Sequence, residues 1–186
     1  METQFEVVIG LEIHIQLQTK SKAFSSDSIE YGALPNTQVS PISLGHPGTL
    51  PMHNRAAIDN AIKMGLALNC DIREVNRYSR KNYFYADLPQ GYQISQLYHP
   101  IVGEGEIEVT LNEKDPDSPT KKIGIERIHV EQDAGKLMHD QHPTMSFVDL
   151  NRSGVALMEI VSRPDISSPQ EAGAYLKKLR SILRYV

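Results

Sequence analysis

Residues 7–18 read VVIGLEIHIQLQ, with Val7, Ile9, Leu11, Ile13, Ile15 and Leu17 apolar and Gly10, Glu12, His14, Gln16 and Gln18 between them. A period of two marks a β-strand with one face turned to a core. On the other face Glu12 and His14 stand two residues apart, so a carboxylate and an imidazole point the same way with their backbones about 6.6 Å apart. That pair is either an ordinary solvated strand face or two ligands converging on one ion.

Further along, Ile107, Val109 and Leu111 alternate with Glu106, Glu108 and Thr110. After the turn-rich NEKDPDSPT of residues 112–120, a second strand runs through Ile123 and Ile125 to Glu131, and the two read as a hairpin with a long loop. Without a bulge, this strand sets Arg127, His129, Glu131 and Asp133 on one face and Gln132 on the other. Glu159 sits inside Val155–Val161, where every neighbour is apolar, and a buried carboxylate needs a partner. Arg152 or Arg163 can supply it as a structural pair, or a metal ion shared with other carboxylates can. Glu12, His14, Glu131 and Glu159 together suit magnesium or manganese.

Two helices frame these strands. From Asn54 the positions Ala57, Ile58, Ala61, Ile62 and Leu66 recur on one face, ending near Asn69. Ser168-Pro169-Gln170-Glu171 reads as a capping box, followed by Leu176, Leu179, Ile182 and Leu183 as an apolar face. Residues 20–53 have no periodicity and collect four prolines, which marks a long loop, either functional or disordered. The fold class expected is α+β, a mostly antiparallel sheet with flanking helices.

Composition narrows the setting. At 186 residues, with 40% hydrophobic and 23% charged, the chain is an ordinary folded domain, not a disordered or fibrous one. No apolar run approaches the roughly 18 residues of a membrane span, and METQFEVV lacks the build of a signal peptide, so a cytoplasmic protein with no membrane partner is expected. Cys70 is the single cysteine and reads as a small buried hydrophobe after a helix. A net charge of -4 requires any nucleic-acid contact to come from a local basic patch. One candidate is RYSRKNYFY at 77–85, within a stretch to residue 98 that holds six of the twelve aromatic residues. It is either a surface that binds phosphates and stacks bases or a tyrosine-rich core strand. The phosphate loop and nucleophile-elbow motifs are missing, so any nucleotide chemistry uses another scaffold.

Six stretches then occur in one order: GLEIHIQL (10–17), PNTQVS (35–40), PGTLP (47–51), RKNYFYADLPQGYQISQ (80–96), HVEQDAGK (129–136) and VDLNRSGVALMEIVSRPD (148–165). With them the chain resembles the B subunit of the glutamyl/aspartyl-tRNA amidotransferase over nearly its whole length. The resemblance implies that residues 1–186 form the N-terminal portion of a catalytic cradle domain, with a fold like glutamine synthetase and guanido kinases. The rest of the cradle and a helical tRNA-binding tail lie outside it, so the fragment alone is expected to be inactive and to bind misacylated tRNA weakly. The implied activity is a ligase that uses ATP to phosphorylate the side-chain carboxylate of misacylated Glu-tRNA(Gln) or Asp-tRNA(Asn). Ammonia from glutamine then displaces the phosphate.

Carried over by motif, Glu12, His14, Glu131 and Glu159 are the implied catalytic and metal-binding set for Mg²⁺ or Mn²⁺, with Lys81 and Arg152 as ATP-binding candidates. The implied partners are the amidase component of the amidotransferase and its small third component. Gln132 stands where many members have a second glutamate, Gln90 where many have lysine, and Arg163 where many have an acid. Ser25, Asp27, Ser40 and Ser43 stand where some members carry four cysteines, so no zinc is expected. A different class of function also fits: a non-catalytic module that docks the amidase and frames the ammonia path.

Overall fold

The computed structural model describes residues 5–186; Met1–Gln4, part of the stretch read against a signal peptide, lie outside the described residues. Chain order is β1 (Glu12–Gln16), α1 (Arg55–Ala67), β2 (Ser79–Asn82), β3 (Tyr92–Ser95), β4 (Gly105–Thr110), β5 (Thr120–Gln132), β6 (Lys136–Met138), β7 (Phe147–Asp149), β8 (Ala156–Ser162) and α2 (Pro169–Tyr185). Four strands form an antiparallel sheet in the order β1-β8-β5-β4, while β2–β3 and β6–β7 are separate antiparallel pairs. The architecture is therefore mixed α and β with a mainly antiparallel sheet, as the alternation of residues 7–17 and 107–131 requires.

Strand β8 is central and all seven of its residues are buried, which explains why its sequence is an apolar run and not an alternating one. Strand β1 lies at the edge, with Ile13 and Ile15 half-buried and Glu12, His14 and Gln16 exposed. Strand β5 is more subtle. Ile123 and Ile125 belong to the core, and so do Ile128 and Val130, although no regular strand sends odd and even positions to one face. The register supplies the reason: Ile125 faces Ser162 and Arg127 faces Val161, so Glu126 is an extra residue in a β-bulge. Beyond it, Arg127, His129 and Glu131 turn away from the core.

Both helices cover the core face. α1 buries Ala57, Ala61 and Met64 against β5 and its neighbours. Gly65 permits this closeness, because a Cβ there would lie 2.6 Å from Ile72 and 2.9 Å from Val102. Asn54 caps α1 by accepting from the Ala56 N–H, and its amide donates to the Ser21 and Lys22 carbonyls. In α2 the buried residues are Tyr175 and Leu179, with Ile182 and Leu183 packed beside them. Leu176, expected on that face, is 43% exposed, and Tyr175 takes the inward position. Ser168 caps the helix through the Glu171 N–H, but the Glu171 carboxylate accepts from the Ser167 N–H instead of closing a box on Ser168.

The segment from 20 to 53 is irregular, and polar contacts hold it. Fully buried Lys22 donates to the Gln38 carbonyl at 2.8 Å. Asp27 accepts from the Ser40 N–H and hydroxyl and from the Ser43 hydroxyl, and Ser25 lies 3.2 Å from Ser43. Ser25, Asp27, Ser40 and Ser43 thus meet as one hydrogen-bonded cluster. Cys70 is buried, as expected, and burial pushes its thiol up to about 11. The tyrosine-rich core strand is overturned: Tyr83, Phe84, Tyr85 and Tyr98 are all exposed, Phe84 at 83%, and β2 is exposed throughout. No helix among the described residues is long and apolar enough to cross a membrane.

Candidate active site

Antiparallel pairing lines up residues from β1, β8 and β5 in rows across the face opposite the helices. His14, Glu159 and His129 form one row, and Glu12, Val161 and Arg127 the next. Glu131 faces Leu157, one step the other way. The His14 Nε2 lies 3.2 Å from Glu131 Oε1 and 3.3 Å from Glu159 Oε2. His129 approaches the same carboxylates from within the sheet, its Nε2 3.3 Å from Glu131 Oε2 and 3.2 Å from Glu159 Oε2. Ser95 of β3 donates to Glu131 Oε2 at 2.9 Å.

Burial makes this cluster electrostatically tense. The side chains of Glu131 and Glu159 are 1% and 7% exposed, against 47% for His14. Burial opposes the charged form of His129, yet hydrogen bonds to the two carboxylates outweigh it and raise the imidazole pKa. Burial likewise opposes ionised Glu131, but His129 and Ser95 hold it below the usual glutamate value. For Glu159 the hydrogen bond from His129 is the leading cause of the same downward direction. The partner of the buried glutamate is therefore a pair of histidines. Neither arginine expected there reaches it: Arg163 pairs with Glu104 at 2.9 Å, and Arg152 donates to the Ala134 and Gly135 carbonyls beside Asp133.

Of the four residues expected to share an ion, three converge. One ligand atom each from His14, Glu131 and Glu159 lie within 4.8 Å of one another, a spacing and donor set that fit a divalent cation. Glu12 is exposed and one row along β1, lining the cleft next to Glu159 outside that trio. Lys81 lines clefts on both sides of the cluster, one of about 360 Å³ and one of about 330 Å³. Arg152 serves the 133–135 turn. Gln132 is buried and lines a small cavity with Lys22 and Phe24, away from the trio. Sequence reasoning did not assign His129, Arg127 or Ser95 to the site. The signal for the first two was present, since the core positions switch from odd at 123 and 125 to even at 128 and 130.

The sheet thus presents two buried carboxylates between two imidazoles, beside clefts whose walls carry basic residues. Comparison gives the family: residues 7–186 match the GatB/GatE catalytic domain, and the chain belongs to that family. It is 68% identical over 98% of its length to the B subunit of the aspartyl/glutamyl-tRNA(Asn/Gln) amidotransferase of Novosphingobium aromaticivorans, of which it covers 37%. The corresponding proteins of Erythrobacter litoralis and Zymomonas mobilis are 64% and 63% identical, again over 98% of this chain. The chain thus spans a little over a third of the length of these curated relatives.

Proposed function

We propose that this chain is the N-terminal portion of the catalytic cradle in the B subunit of a tRNA-dependent amidotransferase, with a fold like glutamine synthetase and guanido kinases. It acts in the cytoplasm with the amidase component and the small third component of that complex. The observation that carries the reading is the convergence of His14, Glu131 and Glu159 from three adjacent strands, in a chain that belongs to this family.

The reaction explains why such a cluster is useful. A carboxylate is a poor acyl donor until one of its oxygens carries a phosphoryl group. An oxygen of the glutamyl or aspartyl side chain on misacylated tRNA bonds to the γ-phosphorus of ATP. The bond to the bridging oxygen breaks, and ADP leaves with the electron pair. Ammonia, released from glutamine by the amidase, then attacks the acyl carbon and expels phosphate, leaving the amide. His14, Glu131 and Glu159 would hold Mg²⁺ or Mn²⁺, which supplies charge neutralisation for the phosphoryl oxygens. His129 and Ser95 fix the two carboxylates, and Lys81 places a positive charge between the two clefts.

Replacing Glu131 or Glu159 with glutamine in the full-length complex tests this. ATP-dependent amidation is expected to fall by about a hundredfold or more, with assembly and glutaminase activity retained. Normal amidation by both variants would instead support a docking role for the segment.

A further inference from the structure

The geometry points to a division of labour between the two clefts: the cleft lined by Arg80, Lys81 and Arg127 takes the triphosphate of the nucleotide, with Arg127 as a phosphate-binding residue, and the other admits the carboxylate to be activated. This inference rests on the function proposed above and adds which residues receive which substrate.

Charge separates the clefts. In the first, Arg80, Lys81, Arg127 and His129 stand against Glu12 and Glu159, with Ser95 and Gln96 as neutral donors and Leu97 as apolar wall. In the second, Lys81 and His14 stand against Glu131 and Asp133, and Tyr83, Leu88 and Leu157 add apolar wall. A triphosphate carries several negative charges and favours the wall with surplus cations, while a single carboxylate suits the less basic side. Both clefts reach the carboxylate cluster, His14 and Glu131 from one and His129 and Glu159 from the other. Attacking and leaving oxygens can therefore meet there from different sides, as in-line transfer requires.

Arg127 is built into the first cleft. The bulge at Glu126 sets it on this face, its side chain is 17% exposed, and its Nε–H is buried without a protein partner among the described residues. One terminal nitrogen pairs with the half-exposed carboxylate of Glu126. The buried Nε–H faces away from solvent, so it is the accessible remainder of the guanidinium, on the wall of a basic cleft, that a phosphate oxygen can meet. Arg80 stacks on the Tyr92 ring at 4.3 Å, which holds its charge at the cleft.

The test uses the full-length complex and the non-hydrolysable probe AMP-PNP, titrated by calorimetry in magnesium, alongside steady-state kinetics. Arg127→Met is expected to weaken AMP-PNP by about ten- to hundredfold and to raise the KM for ATP by a similar factor, with the KM for aminoacyl-tRNA nearly unchanged. Arg127→Lys keeps the charge without the fork and guards against a folding defect; a loss of about three- to tenfold is expected. Tyr83→Ala should do the reverse, raising the KM for aminoacyl-tRNA while AMP-PNP binds as in the parent. Unchanged AMP-PNP affinity in both Arg127 variants, or an exchanged pattern between Arg127 and Tyr83, overturns the assignment. If the parent complex does not bind AMP-PNP at all, the proposed function itself fails.

Discussion

Glu131 and Glu159 are adjacent and almost fully buried, a placement that leaves each dependent on a neutralising neighbour. His129 supplies most of that from inside the sheet. His129→Ala should lower the stability of the chain by about 2 kcal/mol in urea unfolding, and His129→Gln, which keeps an N–H near the lost one, should recover much of it. Lys22 makes a different prediction. Burial, opposed only weakly by Asp27 and Asp149, lowers its pKa from 10.5 to about 8. Between those values the unfolded chain holds more protons than the folded one, so this group's contribution to stability rises with pH and its full penalty applies below pH 8. The stability of the parent minus that of Lys22→Met should therefore increase from pH 8 to 10.5, by roughly 3 kcal/mol at most. A difference that stays flat across that range would show that the lysine is not buried as described. Glu159 was legible as a buried acid from its apolar neighbours alone. His14 was grouped with it only through a shared ion, and His129 was missed as its partner, because the two histidines come from other strands and no local window records their register.

At the scale of elements, the two helix caps do unequal work. Ser168 satisfies the Glu171 N–H, whereas Asn54 caps α1 and also ties the start of the long irregular segment through the Ser21 and Lys22 carbonyls. Ser168→Ala should cost about 1 kcal/mol and Asn54→Ala about 2 kcal/mol, read from denaturant midpoints. Both helices, the β4–β5 hairpin and the outer strand were readable from periodicity and turn residues. The bulge escaped because alternation was followed within each half of β5 and not across it. The β2–β3 hairpin, with β2 exposed and β3 half-buried, escaped for a different reason: tyrosines suit a half-buried strand and a ligand-facing surface equally well, and only packing decides.

Across the whole molecule, helices seal one face of the sheet, and the hairpin reaches over part of the other, so the carboxylate cluster remains accessible between them. Positive charge is concentrated near that opening while the chain as a whole carries -4. Affinity of the 186-residue chain for tRNA should accordingly be weaker than about 10 μM at physiological salt and fall steeply as salt is added. Tight, salt-resistant binding in a fluorescence titration would contradict this. The segment from 20 to 53, which looks from its sequence like the least ordered part of the chain, has one further consequence. To a protease that cuts after lysine and arginine, everything between Lys20 and Arg55 offers a single site, Lys22, and that side chain is fully buried with its ammonium held by the Gln38 carbonyl. A limited tryptic digest of the native chain should leave this stretch whole while exposed basic sites such as Lys114 in the loop between β4 and β5 are nicked first.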